Sequence, residues 1–450
     1  MAVVAGRFEI LSQAGTGGMG SVFRARDRQS GKLVAVKVLK VDRMFDVARF
    51  EREAQTLAAV HHPNIVDYIA HGEAEGLHFL VQEWVDGITL ATHATTIGTT
   101  AQEAVTISLG IARALEAIHS SGLIHRDIKP ANVILAGGEA ERIKLVDFGI
   151  ARLANEAGVL TRTGMLIGTP AYMSPEQARG LLQIEAAADV WSLGCVLFEL
   201  LTGQVAFSGK TPAAIRAKVL LGEPPAFARR CPEAPDELCE LLLDMLEKEP
   251  GQRPVDGGAV AARLLALPPI PDGPRRKVGA RQADTTPVRS PQGSAPRKAP
   301  SLFVMFDAAS VRGAPGHDAR MAQLAERHNL DAHVFEDGSA VLASRGDGKQ
   351  AAKEAVDAAL ELRRDVFDAA ISVFGRAFDD TLSDAVDRGS VLLEQATMAT
   401  IFGDVVDDAG PVVHIDDVIA DLLHDEVEVI QTPEGPVLSA TETQRFATES

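Results

Sequence analysis

The stretch His125-Arg126-Asp127-Ile128-Lys129, with Asn132 three positions on and Asp147-Phe148-Gly149 fifteen beyond that, decides how this chain is read. It sets a carboxylate able to orient a hydroxyl and a lysine able to neutralise phosphate oxygens on two neighbouring loops. The same loops carry two oxygen-donor side chains suited to a hard cation. In that order and spacing the residues point to one chemistry, transfer of the γ-phosphoryl of ATP to a protein hydroxyl.

Upstream lie the groups such chemistry needs. Gly15-Thr16-Gly17-Gly18-Met19-Gly20-Ser21-Val22 fits G-x-G-x-x-G-x-V between two strand-like runs, Phe8–Leu11 and Ser21–Arg26. Glycine lets the backbone approach phosphate oxygens without a Cβ clash. A strand rather than a helix follows the loop, which argues against a dinucleotide fold. Val22 is placed to pack on a purine ring. Fifteen residues later, Val34-Ala35-Val36-Lys37 puts a lysine on an apolar strand read over Leu33–Leu39, where a cation needs a charged partner. Residues 46–60 carry Val47, Phe50, Ala54, Leu57 and Ala58 at helical spacing. Glu53 on that helix is the first choice of partner for Lys37; Glu51, two positions away, faces differently.

Composition bounds the rest. At 450 residues the chain is too long for one core, and its 46% apolar content is ordinary for globular protein. The net charge of −18 resides in the last third, which argues against nucleic-acid binding there, while residues 268–300 are basic. Residues 1 to about 95 read as strands, turns and one helix, and residues 101–267 as mainly helical. Ile107, Ile111, Ala114, Leu115 and Ile118 mark one helix there; Leu238, Leu241, Leu242, Met245 and Leu246 mark another. Residues 268–300, rich in proline, arginine, serine and threonine, read as an extended, disordered linker.

A fresh α+β domain follows over 301–440, and residues 441–450 read as a frayed tail. Strands are expected at Ser301–Phe306, Ala332–Phe335, Ala340–Ser344 and Ala369–Phe374, with a hairpin turn at Asp337-Gly338. Helices are expected over 349–365 and 380–396, and a final strand pair over 427–438. Cys195, Cys231 and Cys239 show neither metal spacing nor a disulfide framework. No apolar run approaches a membrane span and no leader pattern opens the sequence, so a cytoplasmic location is expected.

These motifs resemble the eukaryotic-type (Hanks-type) serine/threonine protein kinases of bacteria over residues 7 to about 267. The resemblance implies a bilobal kinase fold over 1–267, with a β-rich N-lobe over about 1–86 and an α-rich C-lobe over 87–267. It implies that Gly15, Thr16, Gly17, Gly18, Met19 and Gly20 cover the phosphates while Val22 and Ala35 line the ATP site. Lys37 and Glu53 would form an ion pair. Gln82 would be the gatekeeper, and Glu83, Trp84 and Val85 the hinge that meets adenine through its backbone. Asp127 would orient the substrate hydroxyl and accept its proton, Lys129 would stabilise the transferring phosphate, and Asn132 and Asp147 would ligate Mg2+, with Mn2+ able to substitute. Asp-Ile-Lys-Pro implies serine/threonine rather than tyrosine specificity. Glu176, in Ser174-Pro175-Glu176, would pair with Arg253, and both would hold the helical lobe together with Asp189. Arg126 would meet a phosphate on the activation segment, where Thr161 and Thr163 are candidate autophosphorylation sites and Thr169, in Gly168-Thr169-Pro170, contacts the active site.

Residues 302–439 resemble the class III nucleotide cyclase homology domain, with Asp307 and Asp337 at the metal positions of active members. Such members carry Asn-x-x-x-Arg on a later helix, and Asp387-Arg388-Gly389-Ser390-Val391 supplies aspartate and valine there. Without that arginine, no cyclase activity is expected but a regulatory or dimerising role is. The expected partners are protein substrates with Ser/Thr acceptors, a second copy of the chain, and a phosphothreonine-binding protein. Thr285, Thr286, Ser290, Thr441, Thr443 and Thr448 are the further candidate acceptors for the last. A pseudokinase scaffold and a bifunctional kinase–cyclase are the competing readings.

Overall fold

The computed structural model describes residues 2–17, 20–39, 47–74, 76–148, 170–181, 183–224, 227–271, 273–279, 302–307, 316–335, 339–346, 348–366, 370–375, 382–402, 413–423, 429–432 and 435–438. The chain divides into two compact units. The first holds Met1–Ser174, Gln183–Ala206 and Pro224–Gln282; the second holds Pro175–Leu182, Phe207–Glu223 and Ala283–Ser450.

The first unit opens with a sheet of six strands: β1 (Val3–Val4), β2 (Phe8–Gly17), β3 (Gly20–Asp27), β4 (Leu33–Leu39), β5 (Tyr68–Ala74) and β6 (Leu77–Glu83), in the order β1-β2-β3-β4-β6-β5. Period-2 alternation shapes it: Val34 and Val36 are fully buried, with Phe8, Phe79 and Val81, while Ala35 and Lys37 face the other way. Helix α1 (Val47–Ala58) buries Phe50, Ala54 and Leu57, one helical face, next to this sheet.

The helical lobe follows: β7 (Gly87–Thr89), α2 (Leu90–Thr96), α3 (Ala101–Ser120), β8 (Val133–Ala136), β9 (Ile143–Leu145), α4 (Pro175–Ala178), α5 (Ala187–Thr202), α6 (Pro212–Leu221), α7 (Phe227–Arg230), α8 (Asp236–Met245) and α9 (Gly257–Leu265). α3 starts at a capping box, Thr100 with Glu103, in which each side chain accepts the other's backbone N–H. α5 is buried all round and stops at Gly203, whose φ of 74° suits glycine. α4 and α6 belong to the second unit.

The composition of 268–300 reads as linker, but residues 273–279 are fastened to the first unit. Arg276 and Thr99 exchange two backbone bonds (2.8 and 2.9 Å), Val278 N–H donates to Ala94 O (2.9 Å), and Gly279 N–H to Gly203 O (3.2 Å). Arg276 holds Glu233 with both guanidinium ends, and Arg275 donates to Glu103 (2.7 Å) and to Gly98 O (2.8 Å). Each Val278 or Gly279 bond satisfies a carbonyl at a helix end that would otherwise be orphaned. Gly98 is required here: its φ is +84° and a Cβ would lie 2.5 Å from Arg276 O.

The second unit adds β10 (Leu302–Asp307), α10 (His317–Arg327), β11 (Leu330–Val334), β12 (Ala340–Ser344), α11 (Gly348–Asp365), β13 (Ala370–Gly375), α12 (Leu382–Phe402), β14 (Val413–Ile415), α13 (Asp417–Leu423), β15 (Val429–Thr432) and β16 (Gly435–Leu438). Their sheet runs β11-β12-β10-β13-β14-β16-β15, parallel only between β13 and β14. One face packs Val304, Phe306, Leu342 and Val373 on α10, α11 and α13. On the other, α12 comes so close that a Cβ on Gly389 would meet the Phe374 ring at 2.1 Å. Helices on both faces explain why β10, β12 and β13 are almost wholly buried.

Candidate active site

Strand register builds the first wall of the site. Val22, Lys37 and Leu80 are cross-strand partners, as are Arg24, Ala35 and Gln82, so each trio shares one face of the sheet. Val22 and Ala35 therefore stand on the face that carries Lys37. Gly15, Thr16 and Gly17 close the β2–β3 hairpin opposite Val22, Ser21 and Gly20. Lys37 Nζ donates to Asp147 Oδ1 at 2.8 Å, tying this wall to the residues after β9. Glu53 is half-buried on α1 and has partners of its own.

The second wall is the turn 125–132. Lys129 Nζ donates to Asp127 Oδ2 at 2.8 Å; Asn132 Nδ2 donates to the same oxygen at 2.9 Å and to the Asp127 carbonyl at 2.7 Å. Oδ1 takes neither bond, so Asp127 is held by one oxygen and presents the other. Asn132 likewise spends its amide nitrogen inside the turn and keeps Oδ1 out of these bonds. Val146 N–H donates to Asn132 O at 2.9 Å, which sets the turn beside Asp147.

Asp189 on α5 holds this turn from beneath. Its Oδ2 accepts the His125 amide (2.7 Å) and His119 Nε2 (2.9 Å), and its Oδ1 accepts the Arg126 amide (2.8 Å). Burial opposes the Asp189 charge, yet His119 and His125 outweigh it and keep the carboxyl below its usual range. The grip matters because Arg126 and Asp147 sit at φ of 65° and 58°, left-handed values that non-glycine residues adopt only under constraint. His125 lies wholly buried, and burial pushes its pKa down. A neutral ring donating from Nε2 to Val146 O (3.2 Å) and accepting the Asp127 amide at Nδ1 (3.3 Å) meets both contacts.

At the hinge, Gln82 is buried in β6, while Glu83 accepts Lys144 Nζ at 2.5 Å and the Asp67 amide at 3.1 Å. Trp84 Nε1 donates to Asp86 at 2.8 Å. Val85 follows, half-buried. Arg253 is buried, donating to the carbonyls of Glu247 (2.7 Å), Ala187 (3.0 Å) and Lys248 (2.9 Å), and Glu176 is buried on α4. Gly18, Met19, Gly149, Thr161, Thr163, Gly168, Thr169, Asp337, the linker and tail threonines, and Ser290 lie outside the described residues. His119, Lys144 and Glu233 went unmarked by sequence reading. Each acts through a partner far along the chain, and no local pattern flags such a pair.

The donor set fits a hard divalent cation: a carboxylate at Asp147 and an amide oxygen at Asn132, with no sulfur or imidazole between them. A carboxylate held ready for a hydroxyl, a lysine beside it and a sheet-borne lysine facing a metal-type carboxylate define a two-lobed phosphotransferase site. The family model for the protein kinase domain matches residues 8–264, and the chain belongs to that family.

Its curated relatives are similar over the same region. The serine/threonine-protein kinase PknB of Mycolicibacterium smegmatis is 41% identical over 280 residues, 60% of this chain and 44% of that protein. PrkC of Bacillus subtilis, another serine/threonine-protein kinase, is 38% identical over 254 residues, 56% and 39% of the two chains. The chain thus spans under half the length of these relatives. Among solved structures, the PknI kinase domain of Mycobacterium tuberculosis aligns with a TM-score of 0.46 at 26% identity, over 59% of this chain and 96% of that one.

Proposed function

We propose that the chain is an ATP- and Mg2+-dependent kinase that phosphorylates serine and threonine hydroxyls of proteins, with Mn2+ able to replace Mg2+. The observation that carries this reading is the Asp127–Lys129–Asn132 turn set against Lys37–Asp147. Asp127 Oδ1 orients the acceptor hydroxyl and takes its proton as the oxygen attacks. Lys129, already 2.8 Å from Asp127, offsets negative charge gathering between acceptor and donor. Bound MgATP supplies the γ-phosphoryl and a divalent charge that Asn132 and Asp147 would hold. Lys37 exchanges its carboxylate partner for phosphate oxygens. Transfer of label from γ-labelled ATP to the chain itself or to a generic protein, strongly reduced in Asp127→Asn, is the expected result. A wild-type chain that transfers nothing in Mg2+ sinks the reading.

Activation by autophosphorylation at Thr161 or Thr163 belongs to the same proposal, supported by Arg126 beside the catalytic carboxylate; full activity in the Thr161→Ala/Thr163→Ala double variant defeats it. We read residues 302–438 as a cyclase-homology-like frame without cyclase chemistry. The β-α-β-β-α-β succession from β10 to β13, with β10 between β12 and β13, supports the frame. The aspartate at 387 and valine at 391 support the lack of chemistry. A dimerising or regulatory role for this region, and a phosphothreonine-binding partner for the linker and tail, complete the proposal. The three free cysteines support a reducing, cytoplasmic location.

A further inference from the structure

Helix α6 carries two cations buried almost completely: Arg216 and Lys218 keep only 6% and 4% of their exposure. A cation withdrawn from water without a counter-group is heavily penalised, so its partners show what the helix is built to meet. Lys218 Nζ donates to Asp387 Oδ2 at 2.7 Å and to the Ser208 carbonyl at 2.7 Å. The second oxygen of Asp387 accepts the Lys210 amide at 3.2 Å. Arg216 stands over the Phe335 ring, 4.3 Å from its centroid, and donates to Ser339 Oγ at 3.4 Å. Phe335 and Ser339 flank the β11–β12 turn and Asp387 lies on α12, so two separate elements supply groups matched to the two cations. All of these residues belong to the second unit.

We infer that the α+β region formed by residues 302–438 is an in-cis docking partner of helix α6, held by Lys218 on Asp387 and by Arg216 on Phe335 and Ser339. The matched chemistry favours this chain's own residues as occupant over a second copy, because the Lys210 amide and Lys218 Nζ, from one short segment steadied by the Ser208 carbonyl, both reach the one Asp387 carboxylate of the same chain. Asp387 gains a task at the same time. It stands where the cyclase-like reading places a nucleotide-binding asparagine, and here its two oxygens are engaged by Lys218 of α6 and by the amide of Lys210, two residues before that helix. The α12 face at that position is thereby an attachment surface.

The test uses the full chain. A water-soluble carbodiimide joins an amine to a carboxylate in contact with it, so a Lys218–Asp387 linked peptide is expected in the monomer fraction and should vanish in Asp387→Asn. Hydrogen exchange over residues 212–221 should accelerate at least tenfold in Asp387→Lys, which sets two cations face to face. The Lys218→Asp/Asp387→Lys double variant should regain protection. A monomer without the linked peptide, a link confined to dimers, or unchanged exchange in Asp387→Lys overturns the inference.

Discussion

At Asp127, Oδ2 is already engaged by Lys129 and Asn132, which leaves Oδ1 as the oxygen open to a hydroxyl. Asp127→Asn should therefore lower kcat for phosphoryl transfer by about 10²–10⁴-fold while the thermal midpoint stays close to wild type. Asp189 is the opposite case, since it touches no substrate but accepts three donors in a fully buried place. Asp189→Ala strands those donors and should cost roughly 3 kcal/mol or more in urea unfolding. Glu199 gives a pH signature. Burial raises its pKa, although the Tyr172 hydroxyl donates to it at 2.6 Å and pulls the other way. The folded chain then holds a proton that the unfolded chain releases from about pH 4.3 upward. This contribution to stability is full below that pH and is lost as pH rises through the folded value. Glu199→Gln keeps an acceptor for Tyr172 and escapes the loss, so its urea midpoint should exceed wild type at pH 8 and converge with it toward pH 4. The gathering of Asp127, Lys129 and Asn132 in one turn was legible in the sequence because the three lie close along the chain. The Lys37–Asp147 bond was not, since it joins residues 110 apart.

Among the elements, periodicity carried far. The strand read over Leu33–Leu39 matches β4, the run read over Ala340–Ser344 matches β12, and the apolar spacing from Ile107 to Ile118 lies within α3. Helix α10 escaped, because Met321, Leu324 and Ala325 are a short apolar face in a mostly charged segment. The strap at 273–279 escaped for a deeper reason: backbone bonds to Ala94, Thr99 and Gly203 depend on no side-chain pattern, and composition there spells linker. Two substitutions probe it. Arg276→Ala removes both bonds to Glu233 and should cost roughly 2–3 kcal/mol, with Glu233→Ala adding little on top in a double-variant cycle. Gly98→Ala combines a left-handed φ with a Cβ aimed at Arg276 O, and about 1–3 kcal/mol of destabilisation is expected. Chemical unfolding of the full chain reads both.

For the whole molecule, the family match ends at residue 264, yet the ordered first unit continues through the strap. Segments 175–182 and 207–223 lie inside the matched stretch but gather with residues 283–450. Chain order could not reveal this, because sequence reading cuts domains at linkers and assigns each side whole. The proposed roles of Asn132 and Asp147 lead to a metal experiment. Chelation should stop phosphoryl transfer, and Mg2+ or Mn2+ should restore it through Asn132 and Asp147. The same reactions, assayed by chromatography, should contain no cyclic nucleotide from ATP or GTP; its formation would show that residues 302–438 retain catalysis.

The strap also has a mechanical meaning. A pull arriving along the backbone from residue 280 onward is first taken up where Gly279 meets Gly203, then where Val278 meets Ala94. Arg276, clamped to Glu233 and paired with Thr99, comes next, and Arg275 on Glu103 and Gly98 O follows it. Tension is thus grounded at the ends of α2 and α5, and the bonds must break in series rather than together. The turn at 125–132 hangs from Asp189 in the first turn of α5, so the helix that anchors the strap at its C-terminal end carries the support of the turn at its other end.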